Sequence, residues 1–226
     1  MPNTPNTPSA NAPEWVVGLD IGQRRDYSAI AVLNWVEEAT GQRDPVTFDF
    51  IRRTRIRLRH VERIRLGTPF ASVVDRVAAI IQSPTLRENC ALVVDATGVG
   101  APVVELLRAS RLPCRLIPAQ ITGGLDEGSD GVYYRVPKRD LVTGLQILFD
   151  RWPLEIEPNA PAANALVQEL VEFKARPSTS GAMRFDGAQD DLTLALALAW
   201  WWMRKRVAWR APSATGNFPL REASQR

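Results

Sequence analysis

The sequence contains few of the residues that build disulfide frameworks, zinc sites or membrane spans. Cys90 and Cys114 are its only cysteines and His60 its only histidine, among 226 residues. We therefore predict reduced thiols, no zinc cluster and no disulfide-linked partner. The most apolar segment, 192–203, is shorter than the roughly 20 residues that cross a bilayer. Charged residues flank it, so no membrane association is expected.

The amino-terminal segment lacks the basic and apolar regions that form a secretion signal. Residues 1–13 are rich in Pro, Asn and Thr, and we expect them to be disordered. With 45% hydrophobic residues, the remainder can bury a substantial core. The sequence therefore predicts one domain over 14–209, followed by a flexible basic tail over 210–226.

Lysine is scarce and arginine is abundant. Lysine occurs only at positions 138, 174 and 205, so 25 of the 28 basic residues are arginine. Arginine makes bidentate contacts with phosphate and carboxylate groups, although an arginine-rich codon bias would also explain the excess. The stretch "RIRLRHVERIRL", 55–66, alternates as a strand does and places Arg57 and Arg59 on the same face. This face predicts either a solvated edge or a surface that follows a DNA backbone.

The hydrophobic pattern predicts strands first, then alternating helices and strands, then helices. The predicted strands are 16–20, 29–35, 46–51, 55–66, 90–95 and 114–121. The predicted helices are 69–81, 101–109, 136–150, 160–175 and 189–206. We expect Thr68 to cap the first helix and Pro69 to be its first residue. This order predicts a mixed α/β sheet, an antiparallel meander followed by parallel strands, with helices on both faces.

Carboxylates stand at unusual places in this pattern. Asp20 interrupts the first apolar strand, Asp95 ends another, and Asp190 and Asp191 open the last helix. If the two strands are neighbours, a helix across the sheet could bring all four side chains together. Such a cluster would be protonated unless cations were present. Carboxylates bind Mg²⁺ and Mn²⁺, and two such ions about 3.5–4 Å apart can cleave a phosphodiester bond.

Simpler roles for the same carboxylates stay open. Asp20 could cap a polar turn by accepting backbone N–H bonds. Asp190 and Asp191 are also good residues for the start of a helix, with or without a metal ion.

Four segments in order resemble the nuclease domain of the tailed-phage terminase large subunit. They are "GLDIGQRRDYSAIAVL", "VVDATGVGAPVVELL", "YRVPKRDLVTGLQILF" and "QDDLTLALALAWWW", within residues 16–203. The resemblance implies a ribonuclease H-like fold and a metal-dependent endonuclease that cuts double-stranded viral DNA during packaging. It also implies that Asp20, Asp95 and Asp191 are catalytic and bind two Mg²⁺ or Mn²⁺ ions, with Asp190 as a further ligand.

The resemblance also implies partners: an ATPase domain, a small terminase subunit and a portal, in the cytoplasm of a bacterial host. The sequence departs from the family at Gln189, where many members have His, and it contains no G-x-x-x-x-G-K-[ST] motif. We therefore do not expect this chain alone to be a packaging motor. An excised nuclease domain or a stand-alone relative from a prophage is expected instead.

Further basic residues are candidates for DNA contact. Arg24 and Arg25 follow Asp20 in a turn where they could touch a scissile phosphate. Lys138 and Arg139 begin a predicted helix, where cations oppose the helix dipole, so we expect an anionic partner.

Three other functions stay open. The opening "VVGLDIG" also resembles the phosphate-binding start of sugar-kinase and actin-like ATPases. A RuvC-like Holliday junction resolvase would use a similar carboxylate set. A nuclease-like fold retained only for DNA binding would keep the architecture without the chemistry.

Overall fold

The computed structural model describes residues 15–22, 26–87, 89–152, 154–172, 174–177, 183–186 and 189–210. The strands are β1 (Trp15–Asp20), β2 (Ser28–Arg43), β3 (Phe50–Ile64), β4 (Cys90–Asp95), β5 (Arg115–Thr122), β6 (Gly128–Ser129), β7 (Tyr134–Pro137), β8 (Leu154–Ile156), β9 (Lys174–Pro177) and β10 (Met183–Asp186). The helices are α1 (Phe70–Ile81), α2 (Gly100–Ala109), α3 (Lys138–Arg151), α4 (Ala163–Glu172) and α5 (Asp191–Arg210). The predictions for residues 1–13, Arg24, Arg25 and 211–226 lie outside the described residues.

Eight strands form one sheet in the order β6-β7-β5-β4-β1-β2-β3-β8. The first three strands make an antiparallel meander, and β4 then pairs in parallel with β1. Strands β5 and β7 extend the parallel half, whereas β8 pairs in parallel with β3 at the other edge. Strands β9 and β10 form a separate hairpin. The predicted mixed α/β sheet is confirmed.

Helices cover both faces of this sheet, as predicted. Side chains alternate along β1, so Val16 packs with α3, α4 and α5, whereas Val17 and Leu19 pack with α1 and α2. We call these the α5 face and the α1 face. Within the described part of the chain, no helix is both long and apolar enough to cross a membrane.

Helix α5 lies directly on β1 at a glycine. A Cβ atom at Gly18 would lie 2.0 Å from the carbonyl oxygen of Ala195 and 2.9 Å from the nitrogen of Ala199. Both neighbours are backbone atoms, so the helix can approach this closely only because position 18 has no side chain. The contact sets the distance between α5 and the sheet.

The predicted strands 46–51 and 55–66 were wrong in their boundaries. One strand, β3, runs from Phe50 to Ile64, and β2 extends to Arg43 to pair with it. The chain reverses between them because Asp44 Oδ1 accepts the N–H groups of Val46 and Thr47, at 2.8 and 2.9 Å. An aspartate-capped turn therefore replaces the start of the predicted strand.

The predicted cap of α1 was also wrong. The helix begins at Phe70, and Pro69 precedes it in an extended conformation with no side-chain capping bond. The Thr68 hydroxyl instead donates to the carbonyl of Arg65 at 2.6 Å, which tightens the turn after β3.

Five short strands, β6 to β10, were absent from the prediction. Strand β7 occupies 134–137, so α3 begins only at Lys138, and β6 pairs with β7 from the glycine-rich segment 122–131. Strand β8 adds an edge next to β3, and α4 ends at Glu172 before β9. Each segment has at most four residues, too few for a periodic pattern to be visible.

Glu62 should make folding stability depend on pH. Its carboxylate receives Arg76 Nε at 2.7 Å and Arg76 Nη2 at 2.8 Å, and His60 Nε2 lies 3.2 Å away. Burial raises the pKa of Glu62, but the contacts with His60 and Arg76 outweigh it and lower the pKa to about 2. Because the pKa is lower in the folded state, this stabilisation is present above the unfolded pKa and is lost as pH falls to about 2.

We expect Glu62→Gln to lower the free energy of unfolding by about 1–3 kcal/mol at pH 7. Urea denaturation between pH 2 and 7 should show the difference from the wild type shrinking towards acid pH. The matched control is Glu105→Gln, which breaks an exposed ion pair with Arg108 and should change stability little. Equal stability of Glu62→Gln and wild type at pH 7 would contradict the prediction.

Candidate metal centre

Asp20 and Asp95 lie side by side at the carboxyl ends of neighbouring parallel strands. Leu19 of β1 pairs with Val94 of β4, so the next residue of each strand is an aspartate. Both aspartates follow the alternation of the α5 face, and each carboxyl group lies close enough to the other to influence its pKa. The structure therefore brings together two carboxylates that are far apart in the sequence.

The turn after β4 holds Asp95 in place. Its Oδ1 accepts the N–H of Thr97 at 2.8 Å, and the N–H of Ala96 donates to the carbonyl of Ala119 at 2.7 Å. Helix α2 begins directly against this backbone, because a Cβ at Gly100 would lie 1.8 Å from the carbonyl oxygen of Asp95. The segment "DATGVG" thus fixes the carboxylate through the strand-to-helix connection.

The amino terminus of α5 brings the second pair of aspartates to the same place. Asp190 precedes the helix and its carbonyl accepts the N–H of Leu194 at 2.8 Å, whereas Asp191 is the first helical residue. Burial raises the pKa of Asp20 well above its usual value, and repulsion from Asp95, Asp190 and Asp191 raises it further. Burial also raises the pKa of Asp95, against the hydrogen bonds from Thr97. The four side chains therefore form one electrostatic cluster.

Two cations from the chain contact the aspartates of α5. Lys138 Nζ, at the start of α3, lies 3.1 Å from Asp190 Oδ2. Arg63 Nε, near the end of β3, donates to Asp191 Oδ2 at 2.6 Å. The anionic neighbour of Lys138 is thus a side chain of this molecule.

Glu169 is a site residue that the sequence analysis missed. It lies on α4, is buried, and accepts a hydrogen bond from Arg63 Nη2 as well as from Thr193. The one available signal is its spacing, because Glu169 follows the buried Leu166 by three residues on an otherwise apolar helix face.

The donor set fits a hard divalent cation by its chemistry. Asp20, Asp95, Asp190 and Asp191 offer only carboxylate oxygens, the ligands that Mg²⁺ and Mn²⁺ prefer. However, no three of the described His, Cys, Asp and Glu side chains already stand in an arrangement that could hold a metal ion. Oxygens of Asp190 and Asp191 are instead in contact with Lys138 and Arg63.

No protein-family model and no curated protein matches the sequence significantly. Solved structures do match. The large terminase nuclease of thermophilic phage G20c is 24% identical over 82% of this chain and 80% of its own, with a TM-score of 0.52. The nuclease domain of the SPP1 large terminase is 13% identical over 84% and 86%, with a TM-score of 0.53.

The chain has the fold of a large terminase nuclease domain. The large terminase nuclease domain of bacterial virus Sf6, matched over 84% of this chain and 89% of its own at 13% identity, gives a TM-score of 0.55. The resemblance and the ribonuclease H-like fold predicted from the sequence are confirmed. At these identities the similarity establishes the fold, and the site has to be argued from its own residues.

The other predicted DNA contacts lie elsewhere on this terminase nuclease fold. Arg57 alternates with the buried Ile56 and Leu58, so it points to the α1 face, away from Asp20. It donates to Glu155 at 2.8 Å and to Glu38 at 2.6 Å.

Two further predicted contacts also have partners within the chain. Arg59 Nη1 lies 3.1 Å from Glu157 Oε2. Arg139 donates to the carbonyl of Leu125 at 2.5 Å. The structure therefore brings Lys138 to the carboxylate cluster, and it does not bring Arg57 there.

Proposed function

We propose that this chain is a divalent-metal-dependent endonuclease that hydrolyses the phosphodiester bonds of double-stranded DNA, as a terminase nuclease does in viral DNA packaging. The observation that carries the proposal is the convergence of Asp20 and Asp95 with the aspartate pair of α5 on one face of the sheet. Similar folds support it: the large terminase nuclease of G20c has a structure with bound magnesium, and that of SPP1 has one with bound Mn.

In this proposal, Asp20, Asp95 and Asp191 hold two Mg²⁺ or Mn²⁺ ions, with Asp190 as a further ligand. When bound, such a pair of ions lowers the pKa of an attacking water and stabilises the leaving oxygen. A bound cation would favour the charged forms of Asp20 and Asp95, whose pKa values are raised by burial. Lys138, beside Asp190, is positioned to attract a phosphate to the cluster.

The surroundings of this centre are also part of the proposal. DNA contacts by Arg24, Arg25, Lys138 and Arg139 are part of the proposal, and of these Lys138 lies beside Asp190. Contacts by Arg57 and Arg59 would require exchange of their carboxylate partners for phosphate. The nuclease domain would span 14–209, with the basic tail 210–226 beyond it. An ATPase domain, a small terminase subunit and a portal, in a bacterial host cytoplasm, would complete the packaging machine.

Cleavage of supercoiled plasmid tests the proposal. Purified protein should convert plasmid to nicked and linear forms with Mn²⁺ or Mg²⁺, and excess EDTA should abolish the conversion. Cleavage that persists in EDTA would contradict the metal mechanism. ATP hydrolysis without DNA cleavage would instead favour the ATPase alternative, and strong preference for four-way junctions over linear duplex would favour the resolvase.

A further inference from the structure

One arginine joins the candidate metal centre to a buried glutamate. Arg63 Nε donates to Asp191 Oδ2 at 2.6 Å, and Arg63 Nη2 donates to Glu169 Oε1. Its guanidinium carbon also lies 5.1 Å from the centre of the Tyr27 ring. A planar guanidinium with fixed donor directions suits this double contact better than an ammonium would. Arg63 is therefore held between two carboxylates, of which only one belongs to the metal centre.

The same glutamate also holds the first turn of α5. Glu169 Oε2 accepts the backbone N–H of Thr193 at 2.9 Å and the Thr193 hydroxyl at 3.1 Å. The first N–H groups of a helix have no partner within the helix, so a carboxylate from another element can cap them. Glu169 thus connects α4 to the turn that contains Asp191.

This network carries a net charge of −1 when its three groups are ionised. Two carboxylates share one guanidinium, and Glu169 and Asp191 are 6% and 7% exposed. If Glu169 lost its charge, Asp191 would be the remaining carboxylate of this pair to face the arginine. The positive charge of Arg63, no longer offset by Glu169, would then oppose the binding of a metal cation at Asp191. The charge of Glu169 therefore influences how well Asp191 can bind a metal ion.

We propose that Glu169 is a positioning residue for the metal centre, and that it acts by offsetting the charge of Arg63 beside Asp191. The negative charge of Glu169 offsets the positive charge of Arg63, and the hydrogen bonds from Thr193 to Glu169 fix the start of α5. Asp191 therefore keeps both the position and the negative charge that a divalent cation requires. This inference rests on the proposed function, because it assumes that the aspartates bind Mn²⁺ or Mg²⁺.

Mn²⁺ binding, measured by titration calorimetry without DNA, tests the inference independently of activity. Glu169→Gln keeps an acceptor for Thr193 but removes the charge, and we expect its Mn²⁺ affinity to fall roughly 10-fold. Arg63→Gln should bind Mn²⁺ at least as tightly as wild type. The double variant should return to within about 3-fold of wild type, because the two charge changes cancel. Glu172→Gln, an exposed change on the same helix, is the matched control and should leave the affinity unchanged.

The pattern of affinities separates positioning from a purely structural role. If Glu169 only supports the fold, every folded variant will bind Mn²⁺ like wild type and the double variant will be the least stable, which overturns the inference. If Glu169 is itself a metal ligand, the double variant will bind as weakly as Glu169→Gln, which also overturns it. Should Glu169→Gln fail to fold, the double variant is compared with wild type directly, and Mn²⁺ binding weaker than wild type by much more than about 3-fold overturns the inference. A wild-type protein that binds no Mn²⁺ would refute the proposed function as well.

Discussion

Asp20→Asn should abolish Mn²⁺-dependent plasmid cleavage, with a loss on the order of 10³-fold or more. The amide has nearly the same size as the carboxylate but removes the charge that binds a cation, and metal ions supply several kcal/mol of transition-state stabilisation. The rate of supercoiled plasmid loss under single-turnover conditions is the measurement. Asp75→Asn on the exposed side of α1 is the matched control and should cut as wild type does.

The same variant should not be destabilised in the absence of metal. Burial and three neighbouring aspartates raise the pKa of Asp20, so its charged form is disfavoured in the folded protein. A carboxyl group whose pKa is raised in the folded state lowers the free energy of unfolding as pH rises above its unfolded pKa. At pH 7 the neutral amide of Asn does not have this destabilising effect. Thermal unfolding in EDTA should therefore give Asp20→Asn a midpoint at least as high as wild type. Lost cleavage combined with a lowered midpoint would indicate damage to the fold rather than to metal binding.

Gly18→Ala should destabilise the fold by about 3 kcal/mol or more, because one methyl group must enter a contact between two backbones. The new Cβ would lie 2.0 Å from the carbonyl oxygen of Ala195, and neither atom can move by rotating a side chain. Helix α5 would have to shift away from β1 and would carry Asp191 with it. Urea denaturation should show the lowered free energy of unfolding, and plasmid assays should show reduced cleavage.

Gly123→Ala is the matched control for this substitution. A Cβ at Gly123 meets no atom within 4 Å, so its stability should stay within about 0.5 kcal/mol of wild type. If Gly18→Ala unfolds at the same urea concentration as wild type, the close packing of α5 on β1 is not required for the fold.

The fold was predictable where local patterns are long. The apolar runs before Asp20 and Asp95 gave β1 and β4, and the spacing of apolar residues gave α1 and α2 close to their observed limits. Strands β6 to β10 were not predicted, because segments of two to four residues acquire their structure from partners elsewhere in the chain.

Some residues of the candidate site could be predicted from the sequence and others could not. The four aspartates could be predicted because a carboxylate at the end of a buried strand or the start of a buried helix is conspicuous. Glu169 and Arg63 could not, because their roles come from contacts that span 106 and 128 residues of sequence. Arg57 shows the opposite error: its strand periodicity was correct, but its face of the sheet and its pairing with Glu155 depend on the tertiary structure.

The glycine contact under α5 also determines how the candidate centre is assembled. Asp20 and Asp95 belong to the sheet, whereas Asp190 and Asp191 belong to the helix, so the centre consists of two separately supported halves. A tilt of α5 about Gly18 would change the gap between the halves while leaving the spacing within each half intact. Substitutions in the core between α5 and β1, far from any carboxylate, would then change which size of cation fits between the two pairs of aspartates.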